Sequence, residues 1–499
     1  MYLLGYDIGT SFVKASLVNA ATGLSIASDF FPKQEMRMNA LNPGWAEQDP
    51  EIWWQSLIMA TASVIAKSGV DKEQIRAIGI SYQMHGLVVV DKNLKPLRPA
   101  IIWCDSRAVD LGDRAEKEIG AEICRNNLLN APGNFTASKL AWIKENEPEI
   151  YERIYKVMLP GDYIAMRMSG IPQTTISGLS EGILWDFKRN CISDEMMRVF
   201  GFDKDLLSEI VPTFSVQARL SKETAYFLGL QEGTPIAYRA GDQTNNAFSL
   251  NVYNPGDIAS AAGTSGVFYG VVNKLTSDPQ GRVNIFAHFN HKYEDPRLGM
   301  LLCINGTGSL NAWIKTHVAQ EGISYDIINL MGASIPIGSN GISVLPFGNG
   351  SGRVLGNRDI GASYRGINFN IHTRADIYRA TQEGIVFAMK YGLDLMTDLG
   401  LNEGTIKASY VNMYKSAIFR ETMAGVTGRT IELYDTDGAS GAAKGAGIGV
   451  GIYADTEEVF SKLTIDDIVE PDVKNHEAYI EAYERWKEYL EMVLDYKKA

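Results

Sequence analysis

One short pattern occurs twice, half a chain apart, and it limits what this sequence can build. Near the start, Leu3-Leu4-Gly5-Tyr6-Asp7-Ile8-Gly9-Thr10-Ser11 runs into Val13-Lys14-Ala15-Ser16-Leu17-Val18. Further on, Asp257-Ile258-Ala259-Ser260-Ala261-Ala262-Gly263-Thr264-Ser265-Gly266 runs into Val267-Phe268-Tyr269-Gly270-Val271-Val272. Each is an apolar strand, a Gly-Thr-Ser turn and a second apolar strand, so the pair predicts two related domains facing one another. Such turns have a chemical use. Glycine lets backbone approach a ligand, exposed N–H groups bind anions, and the Thr and Ser hydroxyls add donors. Two of them across a cleft would hold a polyphosphate from both sides. A third run, Ala237-Tyr238-Arg239-Ala240-Gly241-Asp242, ends in a carboxylate where a strand gives way to a helix, which sets Asp242 beside Asp7 near the point of transfer. Taken singly, Gly-Thr and Gly-Asp are ordinary turn residues. Their repetition favours the ligand reading.

A chain of 499 residues is long for one core and suits two domains of roughly 250 residues. A hydrophobic content of 45% argues for folded structure throughout. The formal charge of −12 disfavours nucleic acid and anionic membrane as partners, so an anionic ligand must be held locally, by backbone N–H groups, helix N-termini or a metal. Cys104, Cys124, Cys191 and Cys303 form no CxxC or tight His/Cys cluster, which fits a reducing cytoplasm and argues against structural zinc or a disulfide scaffold. The N-terminus lacks a basic region and reaches Asp7 too soon for a signal peptide, and no run approaches the ~20 apolar residues of a membrane span.

In chain order, residues 2–31 predict three strands, the third from Ser25 to Phe31. Asp49-Pro50-Glu51 predicts a helix start, with Asp49 as a cap rather than a catalyst. Ala77 to Ser81 is a strand leading through Tyr82-Gln83-Met84-His85-Gly86 to another, Leu87 to Val90. A further strand, Ala100 to Trp103, leads into Cys104-Asp105-Ser106-Arg107. Both inserts are expected to end strands beside the Asp7 strand and to offer ligand contacts. The competing reading makes His85 a structural histidine and Asp105/Arg107 a surface ion pair. Residues 112–156 look helical with an interruption at Pro132-Gly133, Pro160 to Tyr163 begins another helix, and Thr174 to Asp186 looks like loop with a strand end. Residues 194–230 read as helix, loop, helix, and Gly233-Thr234-Pro235-Ile236 begins the strand that delivers Asp242. Ile342 to Pro346 is a strand and Arg374 to Leu399 a long helix. The glycine-rich stretch Gly438 to Gly451 lacks the GxxxxGK[ST] order of a P-loop and reads as a small-residue helix pressed against a neighbour or ligand. Glu477 to Lys498 is a docked amphipathic helix.

Together, Tyr6-Asp7-Ile8-Gly9-Thr10-Ser11, Trp45-Ala46-Glu47-Gln48-Asp49-Pro50, Gln83-Met84-His85-Gly86, Gly241-Asp242-Gln243 and Gly263-Thr264-Ser265-Gly266 resemble the FGGY carbohydrate kinases. The resemblance runs essentially end to end and is nearest to the members that act on D-xylulose. It implies an α/β fold of two actin-like ATPase (ribonuclease H-like) domains, 1–246 on the sugar side and 247–499 on the nucleotide side, with ATP, Mg2+ and sugar meeting in a deep cleft. By the same resemblance Asp242 is the general base, and Asp7 helps to place magnesium. Asp242 is also counted with the metal. Thr10, Ser11, Gly263 and Thr264 contact phosphates, Gly308 and Asn412 lie by the nucleotide, and Met84, His85, Asp105 and Gln243 hold the sugar. The family's Gly-Gly-Gly-Ala-Lys-Ser is replaced here by Val411-Asn412-Met413-Tyr414-Lys415-Ser416, Gln243 stands where many relatives have Asn, and Ser351-Gly352-Arg353 replaces Gly-Glu-Arg.

The expected reaction is ATP-dependent phosphorylation of a ketopentose, D-xylulose in the first place, at its primary 5-hydroxyl. Alternatives are another FGGY substrate (ribulose, fuculose, rhamnulose, gluconate, glycerol) or an actin- or chaperone-like ATPase switch that modifies no sugar. A cytoplasmic location, no nucleic-acid or membrane partner and a homodimer complete the expectations.

Overall fold

The computed structural model describes residues 1–496; Lys498, the expected end of the last helix, lies outside the described residues. The first sheet is built from β1 (Tyr2–Ile8), β2 (Val13–Asn19), β3 (Ser25–Phe31), β4 (Ile75–Tyr82), β5 (Phe214–Arg219) and β6 (Pro235–Gly241), in the order β5-β6-β4-β1-β2-β3. The second contains β7 (Ile258–Ala262), β8 (Gly266–Val272), β9 (Asn284–Ala287), β10 (Leu298–Ile304), β11 (Ile406–Ser409), β12 (Ile431–Tyr434) and β13 (Ile465–Val469), in the order β9-β10-β8-β7-β11-β12-β13.

Set side by side, the sheets are one plan drawn twice. In each, the Gly-Thr hairpin (β1–β2, β7–β8) is antiparallel, and a third antiparallel strand extends it (β3, β10). On the other side come two parallel strands (β4 and β6, β11 and β12) and an antiparallel edge (β5, β13). Strand β9 is the one addition. The helix after the last parallel strand matches too: α1 (Asp242–Ser249) follows β6, and α2 (Gly438–Gly449) follows β12. The duplication inferred from two turns therefore extends through the sheet order. The expected divide at residue 246 lies within α1.

Helix α2 explains the glycine-rich stretch. Asp437 caps it by accepting the Ser440 N–H at 2.8 Å. The helix then crosses to the first sheet and presses onto β1 and β4. A Cβ on Gly5 would stand 1.8 Å from the Ala439 carbonyl oxygen, and one on Gly79 1.9 Å from that of Ala442, so only glycine on the strands and small residues on the helix allow this approach. The stretch is a small-residue helix packed on a neighbouring sheet.

The N-cap reading at Asp49 holds: it accepts the Glu51 N–H at 2.9 Å with Pro50 in the first turn, and the resulting helix, Pro50–Ser68, covers β2 and β3 through Trp53, Trp54 and Leu57. Three expectations are corrected. Residues 176–181 form a helix, not loop, because the Thr175 hydroxyl caps it by accepting the Gly178 N–H. Residues 214–219 form the edge strand β5 where helix or loop was expected; its order comes from antiparallel pairing with β6. Ala100–Ile101 pairs with Glu47–Gln48 outside the main sheet, so only the first of the two inserts follows a strand beside Asp7.

Candidate active site

The residues of interest gather where parallel strands end. In an α/β sheet the carboxyl ends of such strands form the natural ligand crevice. Asp7 closes β1 opposite Ser81 of β4, Gln83 to Gly86 follow β4, and Asp242 follows β6 as the first residue of α1. The Ser81 hydroxyl donates to Asp7 Oδ1 at 2.8 Å. Asp7 Oδ2 faces the start of α2, where a Cβ on Gly438 would come within 2.6 Å. Lys14, across from Asp7 in the β1–β2 ladder, is engaged by Asp437 at 2.6 Å.

Electrostatics mark this pair of carboxylates. Burial raises the Asp7 carboxyl above its usual range; the Ser81 bond opposes this, Asp437 adds to it, and Lys14 opposes it. Burial, and then the negative charge of Asp7, pushes the Asp242 carboxyl up to about 7, opposed by the backbone and side chain of Gln243. A buried acid whose proton affinity is raised further by a second carboxylate is suited to proton transfer, and the two together to sharing a cation. Among the described residues no cluster of three or more His, Cys, Asp or Glu could hold a metal by itself. A magnesium ion placed by one or two carboxylates with phosphates and water is compatible with this donor set.

The first Gly-Thr turn is tightly held. Gly9 N–H bonds to the Phe12 carbonyl at 3.0 Å, and Ser11 contributes its carbonyl to the Met36 N–H. The Thr10 hydroxyl donates to Gln83 Oε1 at 3.3 Å and receives the Trp103 indole N–H at 3.0 Å, while Gln48 Nε2 reaches the Thr10 carbonyl at 2.7 Å. Trp103, half-exposed, had no distinguishing signal in the sequence; its place becomes visible only through this contact. The second turn gathers its own group. Gly308 N–H bonds to the Gly263 carbonyl at 2.8 Å, and a Cβ on Gly308 would stand 2.3 Å from that oxygen. Asn412 has a φ of 53°, a Cβ on Gly263 would stand 3.5 Å from its side-chain amide nitrogen, and Thr264 is exposed. Gly263, Thr264, Gly308 and Asn412 thus lie together.

Met84 packs under Gly241, next to Asp242. His85 has a φ of 37°, its ring lies edge-on to Phe135 with centroids 4.9 Å apart, and its Nδ1 is buried without a partner. Burial, then the charges of Lys139 and Arg353, holds the imidazole well below its ordinary range, so it is neutral at physiological pH. Gln243 stands in the first turn of α1.

Asp105 is placed differently. Its carboxylate accepts the Ala46 N–H at 2.5 Å and the Arg107 guanidinium at 2.7–3.0 Å, and both side chains are fully buried. Arg107 also reaches Glu47 and lies over the Trp45 and Trp142 rings, 3.8 and 4.8 Å from their centroids. The pair is thus no surface ion pair. It is an internal lock that joins the loops around 46 and 105, with its acceptors already engaged.

Comparison with known proteins identifies the family and the fold. The sequence model described as "FGGY family of carbohydrate kinases, N-terminal domain" matches residues 2–249, and that for the C-terminal domain matches residues 258–449. The chain is 29% identical over 463 residues to the xylulose kinase of Bacillus subtilis (strain 168), covering 92% of this chain and 90% of the relative. It is 27% identical over 499 residues to the xylulose kinase of Escherichia coli (strain K12), covering 99% of each. A solved structure described as a xyloylose kinase from Brucella ovis superimposes with a TM-score of 0.89 at 25% identity, covering 99% of this chain and 100% of that one. The doubled sheet with its paired helices is accordingly the two-domain, ribonuclease H-like fold of the actin-like ATPases, used here for a phosphotransferase that takes ATP as substrate. With both family models matched in order over most of its length, and the paired carboxylates and Gly-Thr turns set where sheets open to a cleft, the chain belongs to the FGGY family of carbohydrate kinases.

Proposed function

We propose that this protein transfers the γ-phosphoryl group of ATP to the 5-hydroxyl of D-xylulose, giving D-xylulose 5-phosphate and ADP. The observation that carries the reading is the pair Asp7 and Asp242 at the ends of the parallel strands β1 and β6, which flank β4, with the Asp7 charge raising the Asp242 carboxyl. The names of the B. subtilis and E. coli relatives support the sugar.

In this mechanism residues 1–246 present the sugar side and residues 247–499 the nucleotide side. Met84, His85 and Gln243 hold the sugar with its 5-hydroxyl toward Asp242. The Asp242 carboxylate takes the hydroxyl proton as the oxygen forms its bond to the γ-phosphorus, and the bond from that phosphorus to the β–γ bridging oxygen breaks, with the electron pair leaving on ADP. Thr10, Ser11, Gly263 and Thr264 offer N–H and O–H donors to the phosphates, and Gly308 and Asn412 flank the nucleotide. Asp7 and Asp242 are the residues that would hold magnesium, which when bound neutralises phosphate charge. The Asp105–Arg107 lock acts beneath the sugar by fixing the loops that bear Trp103 and Trp45. Four unpaired cysteines fit a cytoplasmic setting, and among the described residues no helix is long and apolar enough to cross a membrane.

A coupled assay of ADP release over a panel of ketopentoses, polyols and gluconate tests the proposal. ADP release should depend on added sugar, with D-xylulose giving the highest kcat/KM. ATP turnover indifferent to every sugar would contradict it and support a switch-type ATPase.

A further inference from the structure

His85 is a β-carbon-bearing residue in the left-handed region, a conformation that persists only where surrounding contacts over-determine it. Its ring is boxed by Phe135, and its Nδ1 faces no partner although it is buried. What holds the backbone there is visible. Lys139, from the helix Thr136–Asn146, is fully buried, and its Nζ donates to the His85 carbonyl oxygen at 3.1 Å. Beneath the same turn, the wholly buried Glu181 carboxyl lies against Gly241; a Cβ there would meet its Oε1 at 2.4 Å.

A buried ammonium is an expensive way to fasten one peptide oxygen. Removing a lysine's charge from water is strongly unfavourable, and a chain needing only packing at this position is served by methionine or leucine. Burial pushes the Lys139 ammonium down to about 7, opposed chiefly by Asp105. The contact makes sense if the conformation it fixes is itself needed.

The geometry points to Lys139 as a positioning residue for sugar recognition: by anchoring the His85 carbonyl it holds this left-handed turn, and so aims the unpartnered imidazole nitrogen at a hydroxyl of the acceptor sugar. This rests on the reading of His85 as a sugar contact. Lys139 touches neither substrate in this scheme. Its effect passes through the His85 backbone, so it falls on sugar affinity and spares the nucleotide.

The test is steady-state kinetics of K139M, K139R and H85A, with D-xylulose and ATP varied separately and Tm recorded for each. K139M keeps the length of the side chain and loses the donor. Sugar KM should rise about ten- to a hundredfold, the scale of a lost charged hydrogen bond, with ATP KM unchanged and Tm not lowered. K139R, which keeps a cationic donor, should recover most of that loss, and it carries the test if K139M does not fold. The inference is overturned if sugar and ATP KM move together, or if neither moves while H85A still raises sugar KM. If H85A itself leaves sugar KM unchanged, the fault lies with the sugar-contact role of His85 in the proposed function.

Discussion

The two acids of greatest interest resemble each other in sequence and differ in what surrounds them. Asp242 stands where a strand becomes a helix, with Asp7 as an unneutralised neighbour, and its carboxyl is raised accordingly. Asp105 carries the same functional group but has the Arg107 guanidinium and a peptide N–H already bound. The consequence can be measured. Arg107→Met strands the buried carboxylate of Asp105, while Glu47 keeps Arg98 as a partner, and should cost about 3–5 kcal/mol of unfolding free energy, the range for breaking a buried ion pair from one side. Urea unfolding of the variant checks this; a loss under 1 kcal/mol would show that the lock contributes little. Sequence made the Asp242 turn legible because a carboxylate directly after an apolar strand and a glycine is a local signal. The Asp105 lock, and the burial of Lys139 and Glu181, were not legible, since each depends on partners 54 to 60 residues away and on side chains whose types are usually solvated.

At the scale of elements, the glycine-rich helix shows composition setting geometry. Gly79→Ala places a methyl against the Ala442 carbonyl, a rigid backbone atom, so helix and strand must part. Overpacking of this kind costs about 1–3 kcal/mol. Because α2 starts against Asp7, turnover should fall as well, and a variant with unchanged stability and rate would contradict the packing described. The link between β9 and α1 gives a second expectation. His288, just after β9, bonds to the Tyr269 hydroxyl at 2.9 Å and to the Val252 carbonyl at 3.1 Å. Burial lowers its imidazole to about 3 from an unfolded value near 6.5. Below pH 6.5 the unfolded chain therefore binds the proton that the folded chain refuses. Stability from this group is complete above pH 6.5 and is lost as pH falls toward 3, by about 2 kcal/mol between pH 6.5 and 5. Denaturant melts should show that slope in the wild type and a shallower one in His288→Gln; equal slopes would contradict it. The short helix 176–181 and the strand β5 escaped a reading by periodicity because each is brief and gains its order from caps or a distant partner.

For the whole molecule, a plan inferred from two turns proves to govern both sheets, down to the helix that follows the last parallel strand of each. That helix does different work in the two halves. In the first it opens with Asp242; in the second it crosses back to lie on β1 and β4 and delivers its N-terminus to Asp7. Each half thus supplies part of the setting of one carboxylate pair, which is the arrangement phosphoryl transfer between two bound substrates requires. The central claim is that Asp242 accepts the proton of the sugar hydroxyl, and single-turnover phosphorylation of D-xylulose by Asp242→Asn tests it most directly. The variant should fold with wild-type melting behaviour and still bind sugar and ATP, with a chemical step slowed about 10²- to 10⁴-fold. A folded Asp242→Asn enzyme that transfers phosphate at the wild-type rate would contradict it.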